Sequence, residues 1–257
     1  MSGSSYYVPH ETKWPFLATV ALVIMFIGLA NYMNDESDLT VTYTGLALLL
    51  LVVYGWFSYV VRESEGGLYD DQVDMSFRWG MAWFIFSEVM FFAAFFGALY
   101  YARELSLPWL AGDGSKVSTN QELWPSFENV WPSNGPANYG GEFIVMKAAG
   151  IPAFNTIILL ISGLTVTWAH HGLKEGKRNQ LIIGLLATVL LGFIFVGFQA
   201  YEYSVAYNDL NLKMTSGMYG STFYMLTGFH GFHVTLGAIM LTAVSYTHLR
   251  AHETWSY

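Results

Sequence analysis

The chain alternates long apolar runs with short polar breaks. A helix needs about 20 apolar residues to cross a hydrocarbon core ~30 Å thick. Six runs have that length: residues 15–33, 41–61, 77–102, 150–171, 181–203 and 217–245. Each is apolar around its whole circumference rather than along one stripe, the pattern of a helix surrounded by lipid or by other helices. Charges collect at the run boundaries. The pattern predicts an all-α membrane protein with six transmembrane helices. The first run already has full span length and follows a polar stretch, so it reads as a span and not as a cleavable signal.

Composition narrows the alternatives. Hydrophobic residues make up 54% of the 257 and charged residues 12%, about half the share of an ordinary soluble domain. Too little polar surface exists to cover a water-soluble globule. The formal net charge of −8 and the lack of a basic stripe exclude a nucleic-acid partner. With no cysteine there is no disulfide, thiolate zinc site or Cys-ligated iron–sulfur cluster.

Lysine and arginine near the span ends set the orientation. With the N-terminus on the cytoplasmic side, that side holds Lys13, Arg62, Arg78, Lys174, Lys177, Arg178 and Arg250, and the other holds Arg103, Lys116, Lys147 and Lys213. The short connection 171–180 carries three of these cations, whereas the connection 34–38 is acidic. The N-terminus is therefore expected at the cytoplasm or an organelle matrix. Residues 103–147 form a long loop rich in Pro, Gly, Asn and Trp, in which Trp124 and Trp131 suit interfacial anchoring. No internal repeat supports an inverted-repeat transporter. Ala93 and Gly97, four residues apart, would permit close helix contact.

Ionisable groups at membrane depth are costly and mark functional candidates. Glu88 lies roughly 16 Å into the third run at about 1.5 Å per residue, near the midplane, with Phe84, Ile85, Phe91 and Phe92 as helical neighbours. It is read first as a buried hydrogen-bonding acid and second as a proton-transfer group. His230 and His233, three residues apart in the sixth run, share one helix face. Hydrogen bonding between helices or to lipid head groups suits them better than haem or metal ligation. His170 and His171 close the fourth run, where cations suit a helix C-terminus, and Glu202 ends the fifth. Arg62 and Glu63 follow Trp56 at the end of the second run, and a cation beside an interfacial Trp can hold an anionic lipid head group. Arg62 equally fits a plain positive-inside residue.

The motifs Ile85-Phe86-Ser87-Glu88-Val89-Met90-Phe91-Phe92, Thr167-Trp168-Ala169-His170-His171, Gln199-Ala200-Tyr201-Glu202-Tyr203, Tyr219-Gly220-Ser221-Thr222-Phe223 and the stretch 228–234 closely resemble subunit III of the haem–copper respiratory oxidases. Val60-Val61-Arg62-Glu63-Ser64 and Trp14-Pro15 fit the same pattern, in order over residues 7–244. The resemblance implies a non-catalytic core subunit of a proton-pumping cytochrome c oxidase, partnered by the catalytic subunit I, subunit II and a small fourth subunit. It implies seven helices, the first two leaning away across a V-shaped cleft filled with phospholipid. Trp56, Arg62, Glu63, His230 and His233 would contact lipid, Glu88 would be the family's buried glutamate, and His170, His171 and Glu202 would be structural. Haem and copper would reside in partner subunits. The catalytic subunit uses histidines deep in its spans, and here only His230 and His233 are deep. The electron-accepting subunit uses cysteines, which this chain lacks.

Quinol-oxidase relatives typically lack the first two helices, so their presence favours the cytochrome c branch. The long third loop resembles bacterial members, implying a bacterial inner (cytoplasmic) membrane. Two departures stand out. Gly97 occupies a position where the family usually carries Trp, and residues 245–257 match nothing in the family pattern, so residues 1–244 form one transmembrane domain followed by a foreign-looking tail. Alternative readings are a subunit III-like partner of a quinol oxidase or nitric oxide reductase, or a proton-coupled transporter relaying through Glu88, His230 and His233.

Overall fold

A computed structural model of the protein describes residues 12–34, 38–138 and 141–250. Among these residues there is no strand. The helices are α1 (Trp14–Met33), α2 (Thr40–Glu65), α3 (Asp71–Tyr101), α4 (Leu107–Leu110), α5 (Val117–Leu123), α6 (Ile151–Lys174), α7 (Arg178–Asn208) and α8 (Gly217–Arg250). A π-helical turn, Ala102–Ser106, joins α3 to α4, so Asp71–Leu110 forms a 40-residue helical rod. This rod and α1, α2, α6, α7 and α8 are six helices long and apolar enough to cross a membrane.

The helices outrun the apolar runs that predict them because their polar ends continue into water. α3 starts six residues before the apolar run at 77. There the Asp70 carboxylate accepts the Val73 N–H at 2.9 Å, and Asp71 and Asp74 lie at the positive end of the helix dipole. Residues 245–250 continue α8 as helix. Residues 251–257, with His252, lie outside the described residues, as do residues 35–37 of the acidic connection.

The chain divides within α3 into two compact units, Met1–Glu88 and Val89–Tyr257. In the first, α1 and α2 form a hairpin whose backbones approach through glycine. A Cβ on Gly28 would overlap the Thr42 backbone, and one on Gly45 would overlap the backbone of Met25. In the second unit α7 is central, packed on α6 and on α8, and is the most buried of the spanning helices. Gly184 lets α7 close onto Ala169 of α6, where an added Cβ would lie 2.8 Å from the Ala169 Cβ. Ala169, Leu181 and Leu185 form a small buried core against Leu241 of α8. The hydroxyls of Thr165 and Thr188 meet at 2.7 Å between α6 and α7, an interhelical bond of the kind that holds membrane bundles. The small-residue pair expected at Ala93 and Gly97 is not such a contact. A Cβ on Gly97 meets nothing within 4 Å.

The segment expected as a long loop is largely tied down. The Asn120 amide donates to the carbonyls of Leu110 at 3.0 Å and Trp124 at 2.8 Å, folding α5 back on α4. The Ile144 N–H donates to the Leu210 carbonyl and the Asn211 amide to the Glu142 carbonyl, each at 2.9 Å. Trp131 and Phe143 both pack on Tyr219 at the start of α8, and the Arg103 guanidinium lies 6.0 Å from the Trp131 ring.

These contacts predict opposite outcomes for one chemical change. Gly45→Ala should lower stability by about 1–3 kcal/mol, the usual range for overpacking. Gly97→Ala should be neutral or stabilising by up to about 1 kcal/mol, since alanine favours helix where space exists. Thermal unfolding of the detergent-solubilised protein checks both.

Candidate functional sites

In the first unit the residues of interest gather at the end of α2. Trp56, Tyr59 and Glu63 follow one another at spacings of three and four, on one face of the helix. Glu63 is buried, only 8% exposed, whereas Arg62 beside it is exposed. Gly67, at φ +68, turns the chain off the helix, and the following Tyr69 folds back so that its hydroxyl donates to Glu63 Oε2 at 2.8 Å. The Tyr69 ring meets Phe77 of α3 edge-on, with centroids 5.2 Å apart. Burial, together with the hydrogen bond to and the charge of Glu63, pushes the Tyr69 phenol up from its ordinary 10 to about 12. The four neighbours thus divide their labour. Glu63 is committed to the turn, while Arg62 is exposed and Trp56 partly so.

Glu88, the last residue of the first unit, is half-buried on α3, and its neighbours Phe84 and Ile85 are exposed. Of the four apolar neighbours expected around it, two therefore face outward from the chain.

In the second unit Phe91 and Phe95 pack on Phe229 of α8, at centroid distances of 4.9 and 5.5 Å. Phe92 packs on His233 at 5.3 Å. The Nδ1 of His233 lies 2.5 Å from the Phe229 carbonyl. That oxygen carries no proton, so Nδ1 donates, which fixes the tautomer of the neutral ring. His230 instead meets Phe195 of α7 edge-on at 5.5 Å. The two histidines share the helix face that their spacing requires, yet one serves the contact with α3 and the other the contact with α7. Among the described residues no three His, Asp or Glu side chains gather as a metal site would.

His230 lines a cavity of about 440 Å³ between α6, α7 and α8, together with Asn155, Gln199 and Glu202. Asn155 is 2% exposed and Glu202 5%. Both polar atoms of the Asn155 amide, Gln199 Nε2 and Glu202 Oε1 have no hydrogen-bond partner. Nearby hydroxyls are satisfied: Tyr203 pairs with Thr227 at 2.6 Å, and Tyr224 donates to the Leu212 carbonyl at 2.6 Å. Sequence reasoning named Glu202 and passed over Asn155. The signal was an amide one turn inside a span, just after Pro152, which resembles any polar residue near a helix end.

His170 and His171 are exposed near the end of α6. The turn after them is fixed by Gly176 at φ +68, by Gln180 Nε2 donating to the Trp168 carbonyl at 2.8 Å, and by a Lys177–Glu175 ion pair at 2.7 Å. The Lys177 ammonium holds the Glu175 carboxyl below its ordinary value.

Six helices long and apolar enough to span, with many large apolar side chains exposed along them, define a multi-pass helical membrane protein. Sequence comparison then gives the family: the profile of cytochrome c oxidase subunit III matches residues 4–112 and 123–257, and the chain belongs to that family. The matched residues run to the end of the chain and so include residues 245–257, which the motif pattern set apart. Cytochrome c oxidase subunit 3 of Gadus morhua is 36% identical over 251 residues, 97% of this chain and 85% of the relative. The subunit 3 of Tetraodon nigroviridis is 37% identical with the same coverage. That of Chondrus crispus is 37% identical over 243 residues, 92% of this chain and 77% of the relative.

The Tyr69–Glu63 pair makes a pH prediction. A folded-state value raised above the unfolded one stabilises fully below pH ~10 and loses that contribution as pH climbs toward about 12. Difference absorbance of tyrosinate between the protein and Tyr69→Phe should show one phenol titrating late. In Glu63→Gln that titration should fall back toward 10.

Proposed function

We propose that the chain is a non-catalytic membrane subunit of cytochrome c oxidase that steadies the catalytic subunit, binds phospholipid and supports proton uptake. The observation that carries this reading is the family match across nearly the whole chain. Electron transfer and oxygen reduction belong to partner subunits I and II in this reading, with their haem and copper, and this subunit holds no redox centre. The resemblance supplies the reason: the cysteines of an electron-accepting copper site are absent, and the two deep histidines are engaged in separate helix contacts.

Phospholipid is assigned to Trp56 and Arg62. Near the end of a spanning helix Arg62 offers an exposed guanidinium for a phosphate, and one to two turns earlier Trp56 offers a partly exposed indole for the membrane interface. Glu63 contributes by holding the turn through Tyr69 rather than by touching lipid. Glu88 acts as a hydrogen-bonding acid near the proton path. Its depth in the rod supports this role, because a carboxyl there is kept only where it does something for the assembly. The long loop and the asymmetry of basic residues support a bacterial cytoplasmic membrane with the N-terminus inside.

The test is isolation of the native complex. The chain should copurify with an oxidase containing haem and copper, and when purified alone should show no haem absorbance. Glu88→Gln should leave the complex assembled and slow or shorten proton uptake, measured as proton release per turnover in vesicles. Loss of assembly in that variant would overturn the proton-related role.

A further inference from the structure

The unpaired polar groups between α6, α7 and α8 lie at one end of the bundle. Asn155 is four residues into α6, about 6 Å from its start at the helical rise. The 440 Å³ cavity holding it adjoins a second, of about 280 Å³, through the shared residues Pro152 and Glu202. The second cavity reaches Lys147 on the segment that leads into α6. Going inward, Leu160 and Phe195 give the first cavity an apolar wall.

The orphaned atoms sort into complementary pairs. Glu202 Oε1 and Asn155 Oδ1 are acceptors that need donors, while Asn155 Nδ2 and Gln199 Nε2 are donors that need acceptors. Hydrocarbon satisfies neither set. One ligand that satisfies both carries an ammonium with N–H groups and an anionic oxygen a few bonds away, on an apolar tail. Lys147, an exposed cation at the mouth, adds a partner for the anion.

We propose that this pair of cavities binds one aminophospholipid of the leaflet facing the 103–147 segment. Its primary ammonium lies against Glu202 and Asn155, its phosphate toward Gln199 and Lys147, and its chains along Leu160. The primary amine is the specific feature. A quaternary ammonium has no N–H and leaves both acceptors unsatisfied. The site lies wholly within the second unit. The proposal rests on the assembled oxidase only as the preparation in which it is tested.

The experiment uses the assembled oxidase in nanodiscs of phosphatidylcholine containing a graded fraction of phosphatidylethanolamine, with bound lipid counted by native mass spectrometry. One phosphatidylethanolamine should be retained with about tenfold or greater preference over phosphatidylcholine, as expected when charge-assisted bonds replace unsatisfied groups. Glu202→Gln and Lys147→Ala should each reduce its retention, and Lys116→Ala, at an exposed cation outside both cavities, should leave it unchanged. Equal retention of the two lipids by the unmodified complex, the result for a cavity filled by water or covered by another protein segment, would overturn the proposal even if the variants failed to assemble. Loss of this lipid in Lys116→Ala but not in Glu202→Gln would also overturn it. Because the α2 site is read through Arg62 alone, failure there leaves the present site standing, and the reverse.

Discussion

Water is absent from the hydrocarbon core, so every polar group carried there must find its partner within the protein. The structure is organised by that constraint. Backbone groups close into helices, and side-chain hydroxyls are turned back onto the same helices. Thr44 donates to Thr40, Thr235 to Gly231 and Thr242 to Ala238, each to the carbonyl four residues earlier. A hydroxyl used in this way costs little at depth and adds little to helix association.

Association must therefore come from close packing, since lipid tails offer the helices as apolar a surface as their neighbours do. Glycine provides it at Gly28 and Gly45 in the first unit and at Gly184 in the second, where backbone or Cβ atoms of the facing helix occupy the space a side chain would need. A single hydroxyl pair, Thr165 and Thr188, adds direction to the α6–α7 contact. Aromatic rings do the same between α3 and α8, where Phe91, Phe95 and Phe229 interlock edge and face.

Against that background the charged and amide groups left at depth are the informative ones. His233 is satisfied by a carbonyl of its own helix, and Glu63 by Tyr69. Asn155, Gln199 and Glu202 are not satisfied, and they surround a cavity instead of a packed contact. Thr42 Oγ1 in the first unit and Asn134 Oδ1 in the segment before α6 also have no partner, whereas these three side chains line one cavity together.

The sequence by itself determined the number and position of the spans, because a run of apolar residues long enough to cross lipid has no other stable use. It also determined the family, through motifs such as Ile85-Phe86-Ser87-Glu88 and Gly228-Phe229-His230 that keep their order along the chain. Only the tertiary structure decided which glycines are contacts. Gly97 and Gly45 look alike in sequence, and only the facing helix tells them apart. It also decided that His230 and His233 part company, because a helix face is broad enough to meet two neighbours. Finally, it showed that Asn155 belongs with Glu202. Residues 47 positions apart become neighbours only when α6 and α7 fold against each other, and no periodicity within one helix records that contact.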